Sequence, residues 1–467
     1  LKNLTIDFSG YGGHTLFLGK VGSMRKRSVL KIKPLVLLVW MGLCIPFQVW
    51  GQSAKESVLY AFGTNGKAND GYNPNGALVF DQAGNIYGTT FAGGTNCQSL
   101  TSRCGTLFEL SPLAGGGWNE TVLYNFCQSG LPNCVDGAVP QSGLLMDSSG
   151  NLYGTTSAGG TGSCSGGNTN GCGTVFELSP IAGGWAYQVL YSFGGNATQD
   201  GCLPTYATLI MDESGTLYGT TTGCGVYSRG IAFELSPPLM QGGEWTETVL
   251  YSFCQENNCS DGAEPSGGMV LDNAGNLFGT TYIGAVDDAG VLYELSPQMN
   301  GEWKESVIYK FSSKSGGGSL SGLSIDPDGN LYGTLFTGGT KNGACDVDSG
   351  SYCGGVFRFS THTGKEISFL FNGSNGANPM AGVVVDGNTV FGTTFLGNNV
   401  FRIQGTNESV LYKFCSRPNC VDGSVPSPGS LTTTLGGSLE QLRLAGDIIL
   451  VLSLRFISPV PRFAPLS

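Results

Sequence analysis

Histidine is almost missing from this chain of 467 residues, which carries only His14 and His362. Catalysis by a serine–histidine pair and histidine-based metal sites therefore lack their usual residue. Charged side chains make up only 12%. No two cysteines stand in the Cys-x-x-Cys spacing of a zinc knuckle. Long apolar runs are missing too: the most apolar stretch, 35–45, falls far short of the roughly 20 residues that span a bilayer. Positive charge is the scarcest of all once the N-terminal part is set aside. Residues 1–51 hold seven of the 23 Lys+Arg and one of the 34 Asp+Glu, so the remainder carries a formal charge of −17. Such a surface repels phosphate backbones and excludes nucleic acid as a partner.

What is abundant is glycine, with 76 residues, and aromatics hold at 10%. That mixture suits many short strands joined by turns, and the expected fold class is all-β. Residues 24–51 read as a secretory signal peptide. Arg25, Lys26, Arg27, Lys31 and Lys33 precede the apolar run, and cleavage after Gly51, with Val49 at the minus-three position, leaves Gln52 first. Leu43 is too large to precede a lipidated Cys44. Residues 1–23 lie upstream of Met24, carry no signal features and read as a start-site artefact. No membrane span is expected in the mature chain.

From there on, one sentence is written repeatedly. An apolar stretch ends in Asp, a Gly-Asn turn follows, and then come Leu-Tyr-Gly-Thr-Thr, Gly-Thr-Val-Phe-Glu-Leu-Ser-Pro, a Trp and Val-Leu-Tyr-x-Phe. The anchors are Asp81, Asp147, Asp212, Asp272, Asp326 and Asp386, and Gly88, Gly154, Gly219, Gly279, Gly333 and Gly392 recur every 54 to 66 residues. Each copy predicts four strands, a to d; in the second copy these are 143–147, 151–156, 173–179 and 187–193. The short Asp-x-x-Gly-Asn link makes strands a and b a hairpin. Four sequential antiparallel strands per copy predict a β-propeller blade, with the repeats filling 52–431. The segment 56–62 reads as a strand d with no a to c before it, which predicts ring closure by pairing with the last blade.

Six copies are intact and seven are intended. The seventh opens at Glu408 and continues through Asp422-Gly423 and Pro426, but the pattern vanishes after Thr432. Shifting the reading by one base permits Asp-x-Ser-Gly-Gly-Leu-Leu-Gly-Thr-Thr from Thr432 and Gly-Thr-Val-Phe-Glu-Ile after Gly446. Residues 432–467 are thus expected to be a frameshifted remnant of blade seven after a one-nucleotide deletion. Resequencing tests this, and a continuous frame with no base to restore would refute it.

Without Cys44, fourteen cysteines remain, an even number that fits an exported disulfide framework. They fall into local pairs: Cys97 with Cys104, Cys127 with Cys134, Cys164 with Cys172, Cys254 with Cys259, Cys345 with Cys353, and Cys415 with Cys420. Cys202 and Cys224 pair by elimination. Each local pair closes a b-to-c or a d-to-a loop, and the two loop types share one face of a propeller.

Candidates for chemistry are sparse. Asp70, Asp136, Asp200, Asp261 and Asp422 recur before Gly in the d-to-a loops, and could form an acidic rim for a cation or basic ligand or serve as turn residues. Asp326, Asp328 and Asn330 resemble the start of a calcium loop, although the other copies lack the second Asp. Glu109, Glu177, Glu234 and Glu294 give way to Arg358 and Arg402 in later copies, which suggests blade-edge ion pairs rather than catalysis. Tyr87, Tyr153, Tyr218 and Tyr332, with Phe278 and Phe391, are expected to pack between blades. No cofactor and no catalytic residue is expected.

The phrases Asp-x-x-Gly-Asn-Leu-Tyr-Gly-Thr-Thr, Gly-Thr-Val-Phe-Glu-Leu-Ser-Pro and Glu-Thr-Val-Leu-Tyr-Ser-Phe resemble the Gloeo/Verruco (GloVer) tandem-repeat proteins from Glu56 to about Thr432. The resemblance implies an exported bacterial surface protein and no established activity. The leading expectation is a non-enzymatic binding or adhesion scaffold, secreted or at the cell surface, for an extracellular glycan or protein. The alternatives are a polysaccharide lyase or hydrolase on the same scaffold, and the non-functional product of a damaged gene.

Overall fold

The computed structural model describes residues 58–418, apart from 64–68, 96, 98–102, 167–168, 196–197, 207, 241, 340–344 and 346–351. Six antiparallel four-stranded blades follow one another in a propeller ring. In the second blade, strands a to d are Leu145–Met146, Leu152–Thr156, Thr174–Ile181 and Gly184–Ser192. The expected order is thus present, with strand a cut to two residues. The third blade runs Ile210–Met211, Leu217–Thr221, Ile231–Ser236 and Thr246–Ser252. The fourth runs Val270–Leu271, Leu277–Ile283, Val291–Pro297 and Trp303–Lys310. In the first and fourth blades a second short segment, Tyr72–Pro74 or Ala263–Pro265, also pairs with strand b.

Two recurring contacts explain why the repeat is written as it is. The Gly of Leu-Tyr-Gly-Thr-Thr lies directly across the ladder from an aromatic ring in strand c: Gly88 from Phe108, Gly154 from Phe176, Gly219 from Phe233, Gly279 from Tyr293, Gly333 from Phe357 and Gly392 from Phe401. A methyl group on Gly219 would stand 2.7 Å from the ring of Phe233. The strand-b Gly is therefore a seat for that ring. Over the other side of the ring comes the last Phe of the preceding Val-Leu-Tyr-x-Phe. Centroids are 4.6 Å apart for Phe62 and Phe108, 5.3 Å for Phe126 and Phe176, 5.2 Å for Phe193 and Phe233 and 4.9 Å for Phe253 and Tyr293. Phe311 and Phe357, and Phe371 and Phe401, repeat the pair at 5.1 Å. All twelve rings are fully buried, so each blade is fastened to the next by an aromatic pair that neither could bury alone.

Near the axis the blades also touch through main chain. Leu144 donates its N–H to the carbonyl of Ala77 at 3.3 Å, and Leu323 donates to Gly268 at 3.2 Å. Farther out, Tyr87 packs edge-on against Trp185 and Tyr218 against Trp303, as expected for inter-blade rings.

Two expectations at the ends are modified. Residues Asn407–Lys413, read as the opening of a seventh copy, pair with Asn399–Gln404 and are strand d of the sixth blade. The segment from Val58 to Phe62 forms no assigned strand, although Leu59, Tyr60 and Phe62 pack on the first blade. Its ladder partner would have to come from a seventh blade. The expected remnant of such a blade, 432–467, lies outside the described residues, as do the expected signal peptide 24–51 and residues 1–23.

Candidate functional site

The site is best built from the turns outward, because most recurring polar residues are already engaged there. In the a-to-b hairpin, Asp81 Oδ1 accepts the N–H groups of Ala83 and Asn85 at 2.8 and 2.9 Å. Asp81 Oδ2 accepts the Asn85 amide at 2.7 Å and the Tyr87 hydroxyl at 3.1 Å. Asp326 repeats this set with Asp328 N–H, Asn330 N–H, the Asn330 amide and the Tyr332 hydroxyl at 2.8 to 3.1 Å. Burial raises the Asp326 pKa, but these hydrogen bonds outweigh it and hold the carboxyl below its ordinary value. The Tyr332 phenol is pushed up to about 12, first by burial and then by Asp326. Asp328 is exposed, and the Asn330 amide is aimed at Asp326.

The d-to-a loops use a second clamp. Asp261 accepts the Tyr251 hydroxyl at 2.8 Å and the N–H groups of Gln255 and Glu256 at 2.8 and 3.2 Å. Asp70 does the same with Tyr60 and Gly63, Asp136 with Tyr124 and Gln128, and Asp200 with Tyr191, Gly194 and Gly195. Asp70, Asp200 and Asp261 are only 2%, 5% and 1% exposed, so these carboxylates face their own loops and not the solvent. Asp422 lies outside the described residues.

The expected blade-edge ion pairs at Glu109, Glu177, Glu234 and Glu294 are replaced by pairing inside the blade. Glu177 lies across the ladder from Tyr153 and accepts its hydroxyl at 3.2 Å, and Glu109, Glu177 and Glu294 each accept the hydroxyl of the serine two residues on. At the same ladder position Arg358 lies over the Tyr332 ring at 5.9 Å. Among the described residues the ion pair is Arg229–Glu264, at 2.8 Å. A tyrosine partner meets a carboxylate with its hydroxyl, as Tyr153 meets Glu177, and a guanidinium with its ring face, as Tyr332 meets Arg358.

Six disulfides close the loops: Cys97–Cys104, Cys127–Cys134, Cys164–Cys172, Cys202–Cys224, Cys254–Cys259 and Cys345–Cys353. Cys415 is also disulfide-bonded, and Cys420 lies outside the described residues.

What is left over is a groove of about 840 Å³ between the third and fourth blades. Tyr251, Gln255 and Glu256 line one side, from strand d of blade three and the loop closed by Cys254–Cys259. Gln298, Asn300, Glu302, Lys304 and Glu305 line the other, from the c-to-d hairpin of blade four, with Met299 and Trp303 between them. Glu305 is the unusual group. Burial, then the charges of Asp261 and Glu256, push its carboxyl up to about 7, and its Oε1 is buried without a hydrogen-bond partner. Glu247, one blade back, is raised to about 7 by burial and by Asp200 and Glu234. A carboxyl near 7 can hold or release a proton at neutral pH. Of the groove residues, Tyr251 and Trp303 belong to the repeated phrase, and the others did not stand out in the sequence. The available signal was the recurrence of Glu at 120, 247, 305 and 408, two residues before Val in strand d.

Residues 47–233, 161–345 and 205–440 each match the Gloeobacter/Verrucomicrobia repeat. The chain belongs to that repeat family. No curated protein matches it. Among solved structures, this member of the repeat family is similar to virginiamycin B lyase from Staphylococcus aureus at 12% identity and TM-score 0.44, over 76% of this chain and 88% of that one. It is similar to a chain of a nidogen/laminin complex at 15% identity and TM-score 0.38, over 66% and 89%. It is also similar to a gluconolactonase from Xanthomonas campestris at 12% identity and TM-score 0.38, over 70% and 85%. At these values no activity is carried from those proteins to the Gloeobacter/Verrucomicrobia repeat chain.

Proposed function

We propose that this propeller is an exported binding scaffold, secreted or held at the cell surface, that takes an extracellular glycan or protein without transforming it. The observation that carries this reading is the groove between blades three and four. Most of the Asp and Tyr residues that recur are spent on turns, while Glu256, Gln298 and Asn300 of the groove lining have no counterpart in the other copies. Carboxamides and carboxylates beside Trp303 and Tyr251 offer donors, acceptors and ring edges suited to a hydroxyl-rich or peptide ligand. Export is supported by the signal-like segment 24–51 and the six disulfides. Among the described residues no helix is long and apolar enough to cross a membrane.

A glycan and peptide array probed with the full chain tests the proposal. Binding that is lost in Asn300→Ala and Glu302→Ala, with the bound polymer recovered at its original length, is the expected result. No binding on either array, or binding that ignores both substitutions, overturns it. A second reading, a polysaccharide lyase or hydrolase, is favoured by the Glu305 carboxyl near 7. Shortening of a bound polymer that stops in Glu305→Gln would select that reading.

A further inference from the structure

Three cysteine sulfurs from three loops converge between blades two and three, and a fourth is bonded to one of them. Cys164 and Cys172 lie in the b-to-c loop of blade two, Cys202 in the d-to-a loop that follows, and Cys224 in the b-to-c loop of blade three. The Sγ atoms of Cys164, Cys202 and Cys224 all lie within 4.8 Å of one another. Cys172 completes the set through its bond to Cys164. Gly195 makes the room for them: a Cβ there would stand 2.7 Å from Cys164 Sγ, 2.8 Å from Cys172 Sγ and 3.6 Å from Cys224 Sγ. Cys172, Cys202 and Cys224 are buried within the core shared by the two blades, alongside Phe193 and Ile231. Among the described residues no other group of three or more His, Cys, Asp or Glu side chains converges in this way. The single-loop disulfide Cys254–Cys259 has no such neighbour.

We infer that these four cysteines form a redox-gated site for a borderline-soft divalent cation of the zinc type. Zinc–thiolate bonds of about 2.3 Å place the sulfurs of a tetrahedral site about 3.8 Å apart. Once the two S–S bonds of 2.00 and 2.03 Å are opened, the sulfurs within each pair part by about 2 Å, while Cys164 Sγ, now within 4.8 Å of Cys202 and Cys224, closes on them by up to about 1 Å. The gating is chemical. With both disulfides intact there is no thiolate to bind a metal. A dithiol reductant delivers two electrons and two protons to each disulfide and leaves as its own cyclic disulfide, so two dithiols convert Cys164–Cys172 and Cys202–Cys224 into four thiols. The incoming cation displaces the thiol protons, up to four of them, and the four thiolates become its ligands. Two molecules of an oxidised cyclic dithiol reverse the step by thiol–disulfide exchange: each takes two electrons, picks up two protons from solvent and leaves as the dithiol, and the re-formed Cys164–Cys172 and Cys202–Cys224 bonds remove the thiolates and release the cation. The cation then holds the three loops together in a reducing compartment as the disulfides do in an oxidising one. The absence of Cys-x-x-Cys spacing does not count against this, because the ligands come from separate blades.

The test is a cobalt(II) and zinc(II) titration of the full chain after reduction with a phosphine, with near-ultraviolet circular dichroism monitoring the packed aromatic rings. One metal per chain is expected, with the intense visible bands of tetrahedral cobalt thiolate. Those bands should be lost in Cys202→Ser and in Cys172→Ser and retained in Cys254→Ser. The oxidised chain should bind none. Absence of stoichiometric binding, or equal binding by Cys202→Ser, overturns the inference. Binding only after the aromatic dichroism has collapsed overturns it as well, since the site then does not belong to the folded ring.

Discussion

The Tyr251 hydroxyl donates to the Asp261 carboxylate at 2.8 Å, across the loop that carries Gln255 and Glu256 into the groove. Two backbone N–H groups of that loop use the same carboxylate, which is itself buried. Asp261→Ala leaves three donors without their acceptor, and the expected cost is about 2–3 kcal/mol in equilibrium unfolding. Tyr251→Phe removes one donor only and should cost about 1 kcal/mol. Equal costs for the two substitutions would show that the carboxylate does not organise the loop.

Glu247 and Glu305 are both raised to about 7 from 4.5, chiefly by burial. The folded chain therefore binds more protons than the unfolded chain between those values, and stability falls as pH rises through that window. Thermal midpoints should be higher near pH 5 than near pH 8, and level off above the folded pKa. Asp212 and Asp326 are lowered from 3.8, so their contribution is lost only on further acidification and does not mask the slope. Glu247→Gln with Glu305→Gln should flatten the profile and raise the midpoint at pH 8. A slope unchanged in the double variant would assign it to other groups.

Gly219→Ala places a methyl group 2.7 Å from the Phe233 ring and 2.8 Å from Leu209. The cost is one of packing, expected at about 1–3 kcal/mol. Phe233→Leu vacates that space, so the double variant should be less unstable than the sum of the two single variants. Additive losses in a denaturant-melt cycle would mean that the two residues are not coupled.

The Cys254–Cys259 loop closes over only five positions of sequence separation, so its effect on the unfolded ensemble is limited, at about 2 kcal/mol. Its larger effect should be local. Replacing both cysteines with serine is expected to expose the loop to limited proteolysis and weaken array binding, because Gln255 and Glu256 sit inside it, while the thermal midpoint moves by a few degrees. Unchanged proteolysis and binding would place the groove's order elsewhere.

Much of the molecule was determined by the sequence alone. Strand order within a blade follows from the Asp-x-x-Gly-Asn turn, and the strand-b Gly is forced by the ring opposite it, so both recur and can be counted. Five of the six disulfides were legible for the same reason, since separations of five to eight residues leave little choice, and Cys202 and Cys224, 22 residues apart, were the pair that remained. Tertiary structure decided whatever depends on the neighbouring blade. Asp70, Asp200 and Asp261 look identical in sequence whether they form a solvent rim or an internal clamp, and only the fold buries them against Tyr60, Tyr191 and Tyr251. The same holds for Glu408, which joins the sixth blade and not a seventh because its ladder partner is Ile403. The high pKa of Glu305 and the meeting of Cys164, Cys202 and Cys224 arise from side chains distant in sequence. Their chemistry is set by desolvation and proximity, which the packing of blade on blade creates.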